Sequence, residues 1–188
     1  MMVKGSYEDL EAKWSAHSPG PRQEGKVVLL VLRASPADLP KGQDKISQPM
    51  HSQPNSMRFT ADDGAVGDRW KDGKDQGAQL SLTSLAVTRL IAGPRERWHL
   101  LGNNLIVDLD LSAAALPVGS RLRLGTGEIE ISELPHTPCD RFLARLGEPA
   151  HRWVGDEKHA SRHLRGRYAH IIRSGEVSIG ETITVVPG

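Results

Sequence analysis

Arg121-Leu122-Arg123-Leu124-Gly125-Thr126-Gly127-Glu128-Ile129-Glu130-Ile131 alternates polar and apolar residues on both sides of a glycine-containing turn. A period of two marks a half-buried strand, because successive side chains point to opposite faces of a sheet. The two runs therefore read as a β-hairpin. With Thr126-Gly127 at the turn, Gly125 faces Glu128, Leu124 faces Ile129, Arg123 faces Glu130 and Leu122 faces Ile131. One face is then apolar and the other carries opposed charges. A slip of one residue would set leucine against glutamate, so the register is strongly specified.

Further strands flank this hairpin. Lys26 to Arg33 is a near-continuous apolar run, as expected of a strand buried on both faces. Gln79–Leu82 and Asn104–Leu109 are shorter candidates. Tyr168–Arg173, Glu176–Ile179 and Thr182–Val186 read as a terminal meander, with turns at Ser174-Gly175 and Gly180-Glu181. Short helices are expected at Ser6–His17, where Ser6 and Asp9 suit a reciprocal cap, at Ser84–Ala92 before Gly93-Pro94, and at Asp156–Leu164. The reading is a single mainly β domain over residues 1–188, with peripheral helices and a partly closed β-barrel whose core runs from about Gly64 to Val186. Ala34 to Thr60 holds four prolines and little apolar periodicity, and reads as a long mobile loop.

The second hairpin strand leads through Pro135 to the only cysteine, in His136-Thr137-Pro138-Cys139-Asp140-Arg141-Phe142. Thr137 suits a helix N-cap and Pro138 the first helical position. Cys139 would then sit in the first turn, where free N–H groups and the helix dipole stabilise negative charge on sulfur. The other reading is a small buried hydrophobe, since free cysteines are often buried. Local sequence leaves both open.

Composition narrows the classes. The 188 residues carry 24 Lys and Arg against 23 Asp and Glu, which argues against a nucleic-acid partner. One cysteine excludes an internal disulfide framework and fits a reducing compartment. The longest aliphatic run, Val27–Leu32, is far too short for a membrane helix, and the N-terminus lacks a signal-peptide core. A soluble, cytoplasmic protein is expected. Basic residues concentrate late in the chain, where His151, His159, His163 and His170 lie among Arg152, Lys158, Arg162, Arg165, Arg167 and Arg173. Such a cluster either binds a phosphate-like anion or forms an ordinary solvated surface. His159 and His163 have the spacing of a helical metal pair, but lack the glutamate of the zinc-protease pattern.

Taken in order, the motifs resemble the MOSC domain, named after the C-terminal domain of molybdenum-cofactor sulfurase. They are Val66-Gly67-Asp68-Arg69-Trp70, Gly102-Asn103-Asn104-Leu105-Ile106-Val107, Leu116 to Gly125, the His136-Thr137-Pro138-Cys139 segment, and Leu164 to Ala169 with Gly175 to Gly180. The resemblance implies a β-barrel-like fold whose single reactive cysteine ligates molybdenum of a bound pterin cofactor or accepts sulfur. By position that cysteine is Cys139. The resemblance places Asn103, Asn104, Arg69 and the cysteine segment with His136 and Thr137 at the molybdenum cofactor, and the density of basic residues near the cysteine makes Arg141 and Arg165 the first choices for its phosphate. This chain departs from relatives that carry a basic residue just before the asparagines, having Leu100-Leu101-Gly102 there. Pyridoxal phosphate belongs to a separate domain of the fused sulfurase, and this chain alone is not expected to hold it.

Two functions are implied. One is a molybdenum-dependent oxidoreductase acting on N-hydroxylated compounds with an electron-donor partner. The other is a non-redox sulfur carrier or cofactor-delivery module served by a cysteine-desulfurase partner.

Overall fold

The computed structural model describes residues 5–17, 20, 22–35, 50–73 and 75–187. Its strands are β1 (Glu24–Leu30), β2 (Leu32–Arg33), β3 (His51–Ser52), β4 (Ser56–Thr60), β5 (Gly64–Ala65), β6 (Leu80–Ser84), β7 (Leu105–Val107), β8 (Arg121–Leu124), β9 (Gly127–Ile131), β10 (Arg167–Arg173), β11 (Gly175–Ser178) and β12 (Thr182–Val185). The α-helices are α1 (Tyr7–His17), α2 (Leu85–Ala92), α3 (Asp140–Leu146) and α4 (Glu148–Gly155). No helix among the described residues is long and apolar enough to cross a membrane.

The barrel is closed rather than partly open, in the order β1-β12-β8-β9-β10-β6-β7 and back to β1. Closure removes the free edges an open sheet would expose. Only the β6–β7 pair in this ring is parallel. The apolar run of β1 now has an explanation. A bulge between Val27 and Leu29 reorients the strand. Val27 and Leu30 enter the barrel core, while Leu29 and Val31 join Trp14, Trp98 and Trp153 in a second core under the helices. The two cores explain why both faces of β1 are apolar.

The hairpin forms with its alternation intact but its register two residues tighter than expected. Leu124 faces Gly127, Arg123 faces Glu128, Leu122 faces Ile129 and Arg121 faces Glu130. A two-residue slip keeps every side chain on its own face, so alternation cannot distinguish the registers. Packing around the turn does. Gly125 has φ +54, and a Cβ there would lie 2.0 Å from the Glu176 carbonyl oxygen. Gly127 lies under Phe59, 2.5 Å from where its own Cβ would fall.

The expected terminal meander is also corrected. β10 pairs with β9 and β6, β11 leaves the barrel to pair with β4, and β12 pairs with β1 and β8. Local turn signals gave the strands, but long-range pairing chose their neighbours. The loop expected over Ala34–Thr60 is interrupted by β3 and β4, while residues 36–49 of it lie outside the described residues. Ser6 and Asp9 do form the reciprocal cap of α1. The helix expected over Asp156–Leu164 is instead a 3₁₀ segment, Glu157–Arg162, ended by His163 at φ 48. Nothing in the sequence reading anticipated α4.

A polar seam joins barrel and helices. Asp68 is buried and caps a 3₁₀ turn by accepting from the Trp70 N–H at 2.9 Å. It also accepts from the Arg33 backbone N–H at 2.7 Å, from Arg33 Nη2 at 2.7 Å and from Asn104 Nδ2 at 3.0 Å. Burial pushes its carboxyl up, but the Arg33 hydrogen bonds and charge outweigh this and hold it below the usual carboxylate range.

Two outcomes follow for stability. Gly125→Ala should destabilise the fold by about 2 kcal/mol or more, from a strained left-handed alanine and the clash with Glu176, read in urea unfolding. Asp68→Asn should cost about 3–5 kcal/mol near neutral pH, because it leaves Arg33 without its carboxylate. The wild-type advantage is present above the unfolded aspartate value, about 3.9, and disappears as pH falls through the lower folded value. An Asp68→Asn protein with unchanged neutral stability would show that the seam is unimportant.

Candidate functional site

Beyond β9 the chain runs through Pro135-His136-Thr137-Pro138 to Cys139. The helix begins two residues later than expected, so Cys139 is itself the N-cap of α3, with φ −114 and ψ 174. Its side chain makes no cap hydrogen bond, while its carbonyl accepts from the Leu143 N–H at 3.0 Å. Thr137 and Pro138 are therefore outside the helix. Pro138 is engaged elsewhere: a Cβ on Gly155, at the end of α4, would lie 3.0 Å from Pro138 Cγ. Cys139 is exposed and unpaired by any disulfide, which rules out the buried-hydrophobe reading.

His136 stacks on Tyr168, with ring centroids 4.1 Å apart and planes 24° from parallel. Burial, then Arg165 and Arg33, push its imidazole well below the ordinary histidine value, so the ring is neutral at physiological pH. Its Nδ1 is enclosed without a hydrogen-bond partner.

Guanidinium groups converge around this segment. Burial pushes Arg69 down to about 10, and the charges of Arg33, Arg141 and Arg145 act in the same direction against that of Asp68. Arg165 is likewise pushed down to about 10 by burial, with Arg33 and Arg145 adding to the effect and Tyr168 and Cys139 opposing it. Arg69 and Arg165 therefore remain cationic at neutral pH. Asp68 answers this field, but it is already engaged by Arg33. His51, whose Nδ1 lies 2.9 Å from the His99 carbonyl oxygen, is pushed down to about 4, mainly by burial.

Arg145 accounts for the missing basic residue beside Gly102. Its Nη1 would lie 3.4 Å from a Cβ at Gly102, so α3 delivers a cation to the entrance of the asparagine segment. Arg141 and Arg145 are one helical turn apart on α3. Sequence reading selected the first and missed the second, although the i, i+4 spacing was visible. It also missed Arg33, the polar end of an apolar strand.

Asn103, Asn104 and Arg165 are buried supports. Asn104 Oδ1 accepts from the Ser81 N–H and hydroxyl, at 3.1 and 3.0 Å. Asn103 Nδ2 donates to the Leu82 carbonyl, and its Oδ1 accepts from Arg165 Nη1 at 2.6 Å. Arg165 Nη2 donates to the Leu101 carbonyl at 3.0 Å, and its guanidinium lies 4.6 Å from the Phe142 ring centroid. Arg165 therefore offers the site its charge more than an open fork. Cys139, Thr137 and Arg141 are exposed, and Arg69 and His136 are half-buried. Among the described residues no three His, Cys, Asp or Glu side chains are grouped to hold a metal ion.

The MOSC domain model matches residues 79–184. No curated protein matches the sequence. Among solved structures, the YuaD protein of Bacillus subtilis is 19% identical, with a TM-score of 0.58 over 86% of this chain and 95% of that one. YiiM of Geobacillus stearothermophilus is 14% identical, with a TM-score of 0.52 over 87% of this chain and 75% of that one. YiiM of Escherichia coli is 16% identical, with a TM-score of 0.51 over 90% and 71%. The family model spans more than half of the sequence, its cysteine segment included, and the closed barrel agrees with it: the chain belongs to the MOSC domain family.

Proposed function

We propose that this protein binds the molybdenum cofactor, with Cys139 as the protein ligand to the metal, and acts in the reduction of N-hydroxylated compounds. The observation that carries the reading is an exposed, free thiol beside a group of guanidiniums that outnumber the nearby carboxylates. The donor set fits the group. Thiolate sulfur is a soft ligand suited to molybdenum, and clustered arginines suit the phosphate of the pterin. With no group of three His, Cys, Asp or Glu donors among the described residues, the pterin itself would supply the remaining ligands. When bound, the cofactor supplies two-electron redox chemistry at its metal.

The protein residues have separate tasks in this reading. Cys139 projects sulfur from a backbone fixed by the Leu143 hydrogen bond. Arg141, exposed on α3, and the half-buried Arg69 attract and orient the phosphate. Arg33, Arg145 and Arg165 maintain the field from behind, held by Asp68, by the helix and by Asn103. His136, neutral and stacked on Tyr168, gives a rigid wall beside the sulfur.

Cys139→Ser should abolish molybdenum loading while leaving thermal unfolding nearly unchanged, because the side chain is exposed and caps nothing. Metal analysis and unfolding on the same preparation check this. Wild-type protein that carries a persulfide at Cys139 without molybdenum would favour the sulfur-carrier function instead.

Arg141→Ala should weaken binding of a phosphorylated pterin about three- to tenfold relative to its dephospho analogue. An exposed charged hydrogen bond lies at the low end of the usual range because solvent screens it. Titration of both ligands into wild type and variant gives the ratio. Equal weakening of the two would remove Arg141 from phosphate recognition.

A further inference from the structure

A cavity of about 680 Å³ is lined in part by Pro135, His136, Thr137 and Pro138, and Cys139 is not among its lining residues. Its walls include Pro135, Pro138, Val154 and Leu164, with His136, His163 and Arg165 among its polar groups. That volume suits a small organic ligand.

The polar groups are incompletely satisfied. His136 Nδ1 and Arg165 Nε are both buried without hydrogen-bond partners. His159, also on the lining, has its Nε2 2.8 Å from Glu11 but its Nδ1 equally unpartnered. Buried polar groups are nearly always paired, so orphaned nitrogens on three residues of one cavity point to an absent partner. The charge balance indicates its sign. Arg165 is only 7% exposed, and the hydrogen-bond acceptors on its guanidinium are the neutral Asn103 amide and Leu101 carbonyl. The same guanidinium lies over the Phe142 ring, and Tyr168 and Cys139 are close enough to act on its charge. The acids at the cavity do not neutralise it. Asp156 accepts from the Tyr7 hydroxyl and the Lys158 N–H, and Glu157 is exposed. His163, half-buried and pushed down to about 4 by burial and by Arg167, is neutral as well. The cavity thus combines an apolar wall with an unneutralised cation.

We propose that this cavity binds a small carboxylic acid with a flat apolar body, its carboxylate directed to Arg165 and His136 and its body against Pro138, Val154 and Leu164. The site stands independently of the cofactor reading, because it requires neither the Cys139 sulfur nor a metal. Thr137 and Pro138 alone separate His136 from Cys139 in the chain.

The test uses the full chain with benzoate as probe and benzyl alcohol as its neutral counterpart. Histidine ring signals followed by NMR should move saturably at His136 and His163 with benzoate. Benzyl alcohol should bind at least tenfold more weakly. Ala160→Phe, a substitution at an exposed position on the lining, should weaken benzoate at least tenfold without lowering the thermal unfolding midpoint. This avoids replacing Arg165, whose loss would disturb the Asn103 support. Cys139→Ser should bind benzoate like the wild type, so loss of molybdenum loading in that variant is read separately. Absence of saturable shifts at His136 and His163 would overturn the proposal, as would equal binding of the two probes or unaltered binding to a folded Ala160→Phe protein.

Discussion

A single buried carboxylate, that of Asp68, fixes the relation between barrel and site. Placing an ionised carboxylate in a protein interior is unfavourable unless its lone pairs are filled. Here the donors come from three separate stretches: Arg33 after β1, Trp70 in the following turn, and Asn104 at the entrance to β7. Moving any one of them would leave Asp68 incompletely satisfied. The same bonds aim the Arg33 guanidinium toward the region of His136 and Arg165, whose ionisation it depresses. A structural requirement therefore also generates the field of the candidate site.

That field is costly to the unliganded fold. The pKa of Arg69 is lowered mainly by burial, and repulsion from the charges of Arg33, Arg141 and Arg145 lowers it further. The cost is tolerable because the charges are tied to rigid partners. Arg165 is held by Asn103 and Leu101, and Asn103 is itself anchored to Leu82 of β6. Perturbed groups concentrated around one exposed cysteine are a common property of binding sites, where a ligand supplies the missing charge. An anionic ligand here would relieve repulsion as well as form contacts.

The alternating hairpin made the barrel legible because period-two patterning reports directly on burial. It could not report register to better than two residues, and the atoms that decide it, around Gly125 and Gly127, belong to Glu176 and Phe59 far away in sequence. The terminal strands were legible as strands for the same local reason, while their partners were not. At the site, Cys139, His136 and Arg141 could be selected from local motifs and the family resemblance. Asn103, Asn104 and Arg165 could be selected too, but their burial could not, since it arises when β6, β7 and α3 come together. Arg33 and Arg145 were missed because nothing local distinguishes them from ordinary surface arginines.

The Pro135–Pro138 segment divides two environments that one chain direction could not otherwise keep apart. Pro135 and Pro138 restrict the backbone, and the contact between Pro138 and Gly155 closes the approach of α4. A larger residue at 155 would press on the proline and thus on the residue preceding the sulfur. His136 is the shared wall: its face is taken by Tyr168, its ring lines the cavity, and three residues later the chain presents Cys139 to solvent. A protonated His136 would place one more cation beside Arg33 and Arg165, whose charges together with burial already suppress it. Burial first, and then Arg165 and Arg33, hold the wall neutral, so the arginines that attract an anion also act on the ring shared by the site and the cavity.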